Sequence, residues 1–395
     1  MKLTEETPFF FIYSVWTKNG EYREQVKRLV TDYDNYISLK LAGDDAYLSE
    51  KMVGYPAELD EVYAESFEEQ KKEWFSCVGD GIQECRNTWE HKKWNITDLP
   101  EFELAITIDR PELYYDFLQK DWTRFCHDYW KNNFLEHHTL SKKRVTRIYI
   151  GNQFCHNLFP RKELLFQVLE KALENNLAVT LAFSYIRNHL LEEIDELLQE
   201  LEVWCQSREK EAGKDQEEII VNDWAMPILL QGKPHLKPVL GVLLNKRRKD
   251  VRLPYKHGIG NHVDSLAENN LNCGFYQDYL KNTFDIQRFE FESCGYKVTI
   301  PDGHHSLHLP FFQTNTSQYC TLYAVCRYGD RGKQKLPENC PRYCNKKVFL
   351  YPKHLKMVGR YNSLFGYDEK ILWDEKQLQD YLEQGIDRIV VNVSL

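Results

Sequence analysis

The chain has 395 residues and a net charge of −9, and it carries 9 Trp, 24 Tyr and 21 Phe. So much aromatic surface excludes a disordered chain, and the acidic balance excludes a general attraction for nucleic acid, although local basic loops can still contact anions. Eleven cysteines, an odd number behind an opening (MKLTEETPFFFIYSVW) without a small-residue cleavage site, point to reduced thiols and a cytoplasmic setting. No apolar run approaches the ~18 to 20 residues that a membrane span needs.

Residues 1–140 show FFFIYSVW, FELAITID and charged helices rich in Trp and Tyr, with no regular strand-helix alternation. They read as a separate N-terminal α+β domain, joined to the rest of the chain by the polar HHTLSKKR stretch. Within it, RPELYYDFLQKDWTRFCHDYWKNNF is an aromatic amphipathic helix, expected to be core and otherwise a docking face for a partner.

Residues 144–395 alternate short apolar strands with amphipathic segments of helical length, the pattern of a parallel α/β sheet or barrel. The expected strands are Arg144 to Gly151, LAVTLAFSY, EEIIVNDW, KPVLGVLLNK, IQRFEFES, YKVTIPD, LKMVGRYNSLFG and IDRIVVNVSL. RKELLFQVLEKALENN, opened by Pro160, is the first helix, with Leu165, Val168 and Leu169 on one face. Eight strands favour closure, because an open sheet would leave a bare edge. The expected fold is a (β/α)8 TIM-type barrel, irregular around strands five and six, with the N-terminal extension.

Cys155 follows the first of these strands, and about 170 residues later come Cys326, Cys340 and Cys344, spaced Cys-x13-Cys-x3-Cys in a loop rich in Lys and Arg. Neighbouring cations lower the cost of gathering thiolates, and a polar loop has no apolar core for cysteines to fill. The four suit one metal centre, either a [4Fe-4S] cluster or tetrahedral zinc. Cys320, in the more apolar TSQYCTLYAV, competes with Cys326 as third member of the late group. The plain alternative is that these thiols are packing residues, as the remaining cysteines are expected to be.

Together RIYIGNQFCHN, the strand ending VNDW, GVLLNK, the His308-Leu309-Pro310 ahead of the cysteine loop and the closing IDRIVV resemble the collagenase-like peptidase family U, number thirty-two, and its iron-sulfur relatives. The pattern is most similar to that of the UbiV-type proteins of oxygen-independent ubiquinone hydroxylation. The resemblance covers roughly residues 144 to 395. It implies a barrel carrying a [4Fe-4S] cluster, in a family that includes RNA and quinone hydroxylation proteins as well as peptidases.

Other candidates lie where a parallel barrel places its active face, at the carboxyl ends of the strands. Asp223 ends strand three and is a candidate acid or base, with helix capping as the plain alternative. Lys246, Arg247, Arg248 and Lys249 follow strand four and are candidates for binding an anionic substrate, or else a solvated loop. Glu290 and Glu292 lie in strand five. His304, His305 and His308 offer a metal ligand or proton shuttle, or an ordinary polar loop. No serine elbow, HExxH, Walker loop or Rossmann fingerprint occurs.

The expected function is therefore oxygen-independent oxidative modification, hydroxylation first, of a small molecule, an RNA base or a peptide. The alternatives are a peptidase-like hydrolase and a non-catalytic cluster protein that completes the site of a partner protein or homologous subunit.

Overall fold

The computed structural model describes residues 99–395 apart from 213–216, 252–266, 338, 352–355, 369 and 395. Before residue 99 it describes 2–6, 11–14, 17–22, 24–25, 55–58, 71–72 and 74–75. The fold is mixed α/β, built on an eight-stranded, all-parallel sheet. In chain order the barrel strands are Glu103–Ile108, Arg147–Ile150, Ala178–Ala182, Glu217–Val221, Leu236–Leu240, Glu290–Glu292, His305–Leu309 and Ile386–Val391. Each pairs with its neighbours in the chain, the last pairs with the first, and a parallel bridge from Leu240 to Phe289 joins the fifth to the sixth, so the sheet curls into a nearly closed barrel.

The strand alternation explains the apolar runs. Leu104, Ile106 and Ile108, with Ile148 and Ile150, point outward into the large core beneath the surrounding helices, while Ala105, Tyr149, Ala182, Ile220, Val239 and Val390 form a smaller inner cluster. Polar groups share the interior. Arg388 reaches Glu103 at 2.6 Å and Glu218 at 2.6 Å, and Arg147 reaches the same two carboxylates at 3.0 and 3.3 Å. A buried charge costs several kcal/mol unless it is paired, and this network pairs each of these.

Six expected strands form as expected, and two are exchanged. YKVTIPD forms no strand, and LKMVGRYNSLFG makes the hairpin Met357–Arg360 and Ser363–Tyr367 in a separate antiparallel sheet. Their places in the barrel are taken by Glu103–Ile108 and His305–Leu309. The barrel therefore begins ahead of residue 144, and a boundary at 140 would cut it. The aromatic segment after Glu103–Ile108 is two helices, Pro111–Gln119 and Trp122–Asn132, broken at Lys120 and restarted by an Asp121 cap that accepts from the Arg124 N–H at 2.9 Å. Their Tyr114, Phe117, Phe125, Tyr129 and Trp130 are core. HHTLSKKR is a barrel connection, with His138 buried and its Nε2 bonded to the Leu372 carbonyl at 2.7 Å. Most of the remaining N-terminal extension lies outside the described residues.

The antiparallel sheet has five strands, Tyr55–Glu58 at one edge and then Lys347–Leu350, Met357–Arg360, Ser363–Tyr367 and Phe311–Thr316. Most of it is inserted between the seventh barrel strand and the helix Glu375–Glu383, so it grows from the carboxyl end of the barrel. The helix Thr321–Tyr328 and the cysteine loop belong to the same insertion. No helix among the described residues is long and apolar enough to cross a membrane.

Candidate functional site

A cavity opens at the carboxyl ends of the strands, where residues from almost every strand meet the insertion. Its floor is Tyr149 and His308; Asp109 from the end of the first strand, Glu292 from the sixth and Asn392 after the eighth form its sides; and Tyr361 of the inserted hairpin closes over it. Gly151, Asn152, Gln153 and Phe154 line it from the second strand's loop. Gly151 has φ +109°, and a Cβ there would stand 2.6 Å from the Ala182 carbonyl oxygen, so only glycine lets the chain turn this closely. Asn152 then organises the turn: its Oδ1 accepts from the N–H groups of Phe154 and Cys155, both at 2.9 Å.

That turn delivers Cys155 to the late cysteines. Burial pushes its thiol up to about 12, and the charges of Cys320 and Cys340 add to the rise. Burial likewise pushes Cys344 up to about 12, with Cys155 and Cys340 adding to it and Arg360 opposing. Cys320 is also pushed up to about 12, by burial first and then by Cys344 and Cys340. Cys155, Cys320, Cys340 and Cys344 thus lie within electrostatic reach of one another, although the first stands far from the rest in sequence.

Among the late cysteines this grouping includes Cys320, the competitor of Cys326 in the sequence. Cys320 caps the helix Thr321–Tyr328, its Sγ accepting from the Tyr323 N–H at 3.3 Å, whereas Cys326 sits six residues on, in the helix body. The stretch before Cys320 is clamped to the barrel: the Tyr185 hydroxyl donates to the Ser317 and Gln318 carbonyls at 3.2 and 3.1 Å, and the Asn362 amide donates to Ser317 at 2.7 Å.

Among the described residues no three His, Cys, Asp or Glu side chains are placed to hold a single metal ion. Ligands of one zinc would stand about 4 Å apart, given a ~2.3 Å zinc-sulfur bond and tetrahedral angles. The Arg360 guanidinium adds a buried cation to the rim and donates to the Cys344 carbonyl at 3.2 Å.

Two residues lining the cavity carry buried polar atoms that find no hydrogen-bond partner among the described residues, Asp109 Oδ1 and the Tyr361 hydroxyl. Burial raises the Asp109 carboxyl above its ordinary value, against the opposing charges of Arg110 and Arg360. Tyr361 also has φ +58°, an uncommon conformation for a bulky residue, held here at the turn of the inserted hairpin. Sequence reading passed over both residues. The available signal for Asp109 was an acidic residue ending an apolar strand just before a Pro-initiated helix; nothing marks Tyr361.

Asp223 accepts from the Ala225 and Met226 N–H groups at 3.0 and 3.2 Å through Oδ1, and from the Ile186 N–H through Oδ2. This is the geometry of a cap and loop clamp. The basic run divides. Arg247 is turned inward, donating to Cys294 Sγ at 2.8 Å and to the Glu292 carbonyl, and Lys249 pairs with Glu292 and Gln313. Lys246 and Arg248 remain exposed. Compared with family models, curated proteins and solved structures, the chain matches none.

Proposed function

We propose that the chain is a [4Fe-4S] protein on a (β/α)8 TIM-type barrel, related to the U family and UbiV-type proteins that its motifs resemble, and that it acts in oxygen-independent hydroxylation of a small molecule, an RNA base or a peptide. The observation that carries this reading is the mutual reach of Cys155, Cys320, Cys340 and Cys344 beside a cavity at the carboxyl face of the barrel. We take Cys320, which this grouping includes, as the third late ligand, with Cys326 as the alternative.

When bound, such a cluster would supply one-electron transfer. The chain's own contributions are positional. The Asn152 turn and the Ser317 clamp fix the thiols; Phe154, next to Cys155, and Tyr361, whose carbonyl accepts from the Cys320 thiol at 3.1 Å, connect them to the cavity. Asp109 and Tyr361 are the natural hydrogen-bond partners for a bound molecule, because a buried unpaired polar atom costs about 1 to 3 kcal/mol that a ligand recovers.

Anaerobic purification and reconstitution test the reading. Iron and sulfide near four per chain, with a broad visible absorption band lost in the Cys155→Ala protein, are expected. Stoichiometric zinc in a colourless protein overturns it.

A further inference from the structure

His308 of the seventh barrel strand lines the cavity, is 2% exposed and is hydrogen-bonded through Nε2 to Glu290. Its ring meets Tyr149 edge-on, with centroids 5.5 Å apart and an 85° angle between planes. The Tyr149 hydroxyl donates to Glu290 at 3.1 Å and itself accepts from Arg388 at 3.2 Å. Two donors thus converge on one carboxylate, which favours its ionised form. Burial works against ionisation, but the hydrogen bond and charge of His308, with Arg388, outweigh it and hold Glu290 below the ordinary carboxylate value.

An ionised Glu290 can only accept, so His308 Nε2 must carry the hydrogen. The ring's other nitrogen, Nδ1, makes no hydrogen bond among the described residues, and His308 lines the cavity. We infer that His308 is a proton-exchange site of the cavity, with Glu290 fixing one ring nitrogen so that Nδ1 takes or gives a proton on a bound molecule. The logic is that of a carboxylate-oriented histidine: the carboxylate sets the tautomer and stabilises the imidazolium that forms.

The matching chemical class is a hydroxyl, or a carbon acid beside a carbonyl. Its proton moves to Nδ1, the bonding pair stays on the substrate atom, and no electron acceptor is needed. The charged and titratable groups around the pair are Glu290 and Glu292 on the sixth strand, Tyr149 on the second, Glu218 on the fourth and Arg388 on the eighth, with Lys249 paired to Glu292 and with Asp109 and Tyr361 lining the same cavity. None is a thiol of the proposed metal centre, so the two readings fail separately.

The test is a nitrogen NMR titration of the full chain with labelled histidine, the His308 resonances being assigned by their loss in His308→Gln. The expected result is a neutral form bearing hydrogen on Nε2, with Nδ1 as the nitrogen that takes up the proton when the ring is charged. In Glu290→Gln the side-chain amide can turn its N–H toward the ring as well as its oxygen, so the preference for hydrogen on Nε2 should weaken and a form bearing it on Nδ1 should appear. The other histidine resonances, such as that of buried His138, report that the variant is folded. A neutral form with hydrogen on Nδ1 in the parent, or an unchanged tautomer balance in folded Glu290→Gln, overturns the inference.

Discussion

The Cys320 thiol donates to the carbonyl oxygen of Tyr361 at 3.1 Å, while the hydroxyl of the same cavity-lining tyrosine is buried without a partner among the described residues. One residue thus touches the thiol group with its backbone and the cavity with its side chain. Cys320→Ala should abolish cluster assembly, whereas Cys326→Ala should leave iron content and visible absorbance near those of the parent. Iron and sulfide analysis after anaerobic reconstitution checks this, and the reverse ranking would restore Cys326 as ligand.

Tyr361→Phe removes a hydroxyl that the free protein leaves unsatisfied. Its melting temperature should be unchanged or slightly raised, because deleting an unpaired buried donor relieves a desolvation cost of about 1 to 3 kcal/mol. Substrate affinity should fall together with the reconstituted activity. A marked loss of stability in calorimetry would mean that the hydroxyl has a structural partner instead.

The basic run separates into two predictions of opposite size. Arg247→Ala leaves a buried carbonyl and a buried thiol without their donor, and Lys249→Ala strands Glu292. Breaking a buried pair by removing one partner costs roughly 3 to 5 kcal/mol, so denaturant midpoints should drop sharply. Lys246→Ala and Arg248→Ala should change stability little. Equal midpoints for all four would show that the inward contacts carry no energy.

Acid should loosen the barrel from within. Burial acts to raise the Glu218 carboxyl, but Arg147 and Arg388 outweigh it and hold the group down to about 2, against an ordinary 4.5. A depressed native value contributes stability that is complete above pH ~4.5 and is lost as pH falls toward ~2, here on the order of 3 kcal/mol. Denaturant unfolding at pH 6, 4 and 3 should show the decline, and Glu218→Gln should flatten it.

Asp223→Ala should cost about 1 kcal/mol or more by removing a cap and releasing the Ile186 N–H, without changing the cluster spectrum. Loss of activity with unchanged stability would return Asp223 to the chemistry.

Much of the barrel was legible because its outward-facing strand residues are apolar enough to mark six strands. His305–Leu309 escaped because its inward positions carry Ser306 and His308, and a strand whose interior face is polar imitates a loop. Glu103–Ile108 has a plain strand pattern, but its place in the ring depends on pairing with Ile386–Val391, a relation no local window contains. At the site, the distant Cys155 was readable as a companion of the late cysteines because it follows an apolar strand, whereas Cys320 and Cys326 fall on one short helix and no local pattern ranks them. Asp109 and Tyr361 gain their meaning only from the groups they fail to meet.

Ring closure between Glu103–Ile108 and Ile386–Val391 has a consequence for biosynthesis. The closing strand leaves the ribosome after the other seven, and until it docks, the first and seventh strands each present an unpaired edge, the kind of surface on which nascent chains pair wrongly. The cysteine insertion is translated before that final strand, so it is made while the barrel is still unclosed. Expression yield should accordingly be far more sensitive to truncation at Gly385 than to point changes on the exterior, with the shortened chain appearing in the insoluble fraction or bound to chaperones.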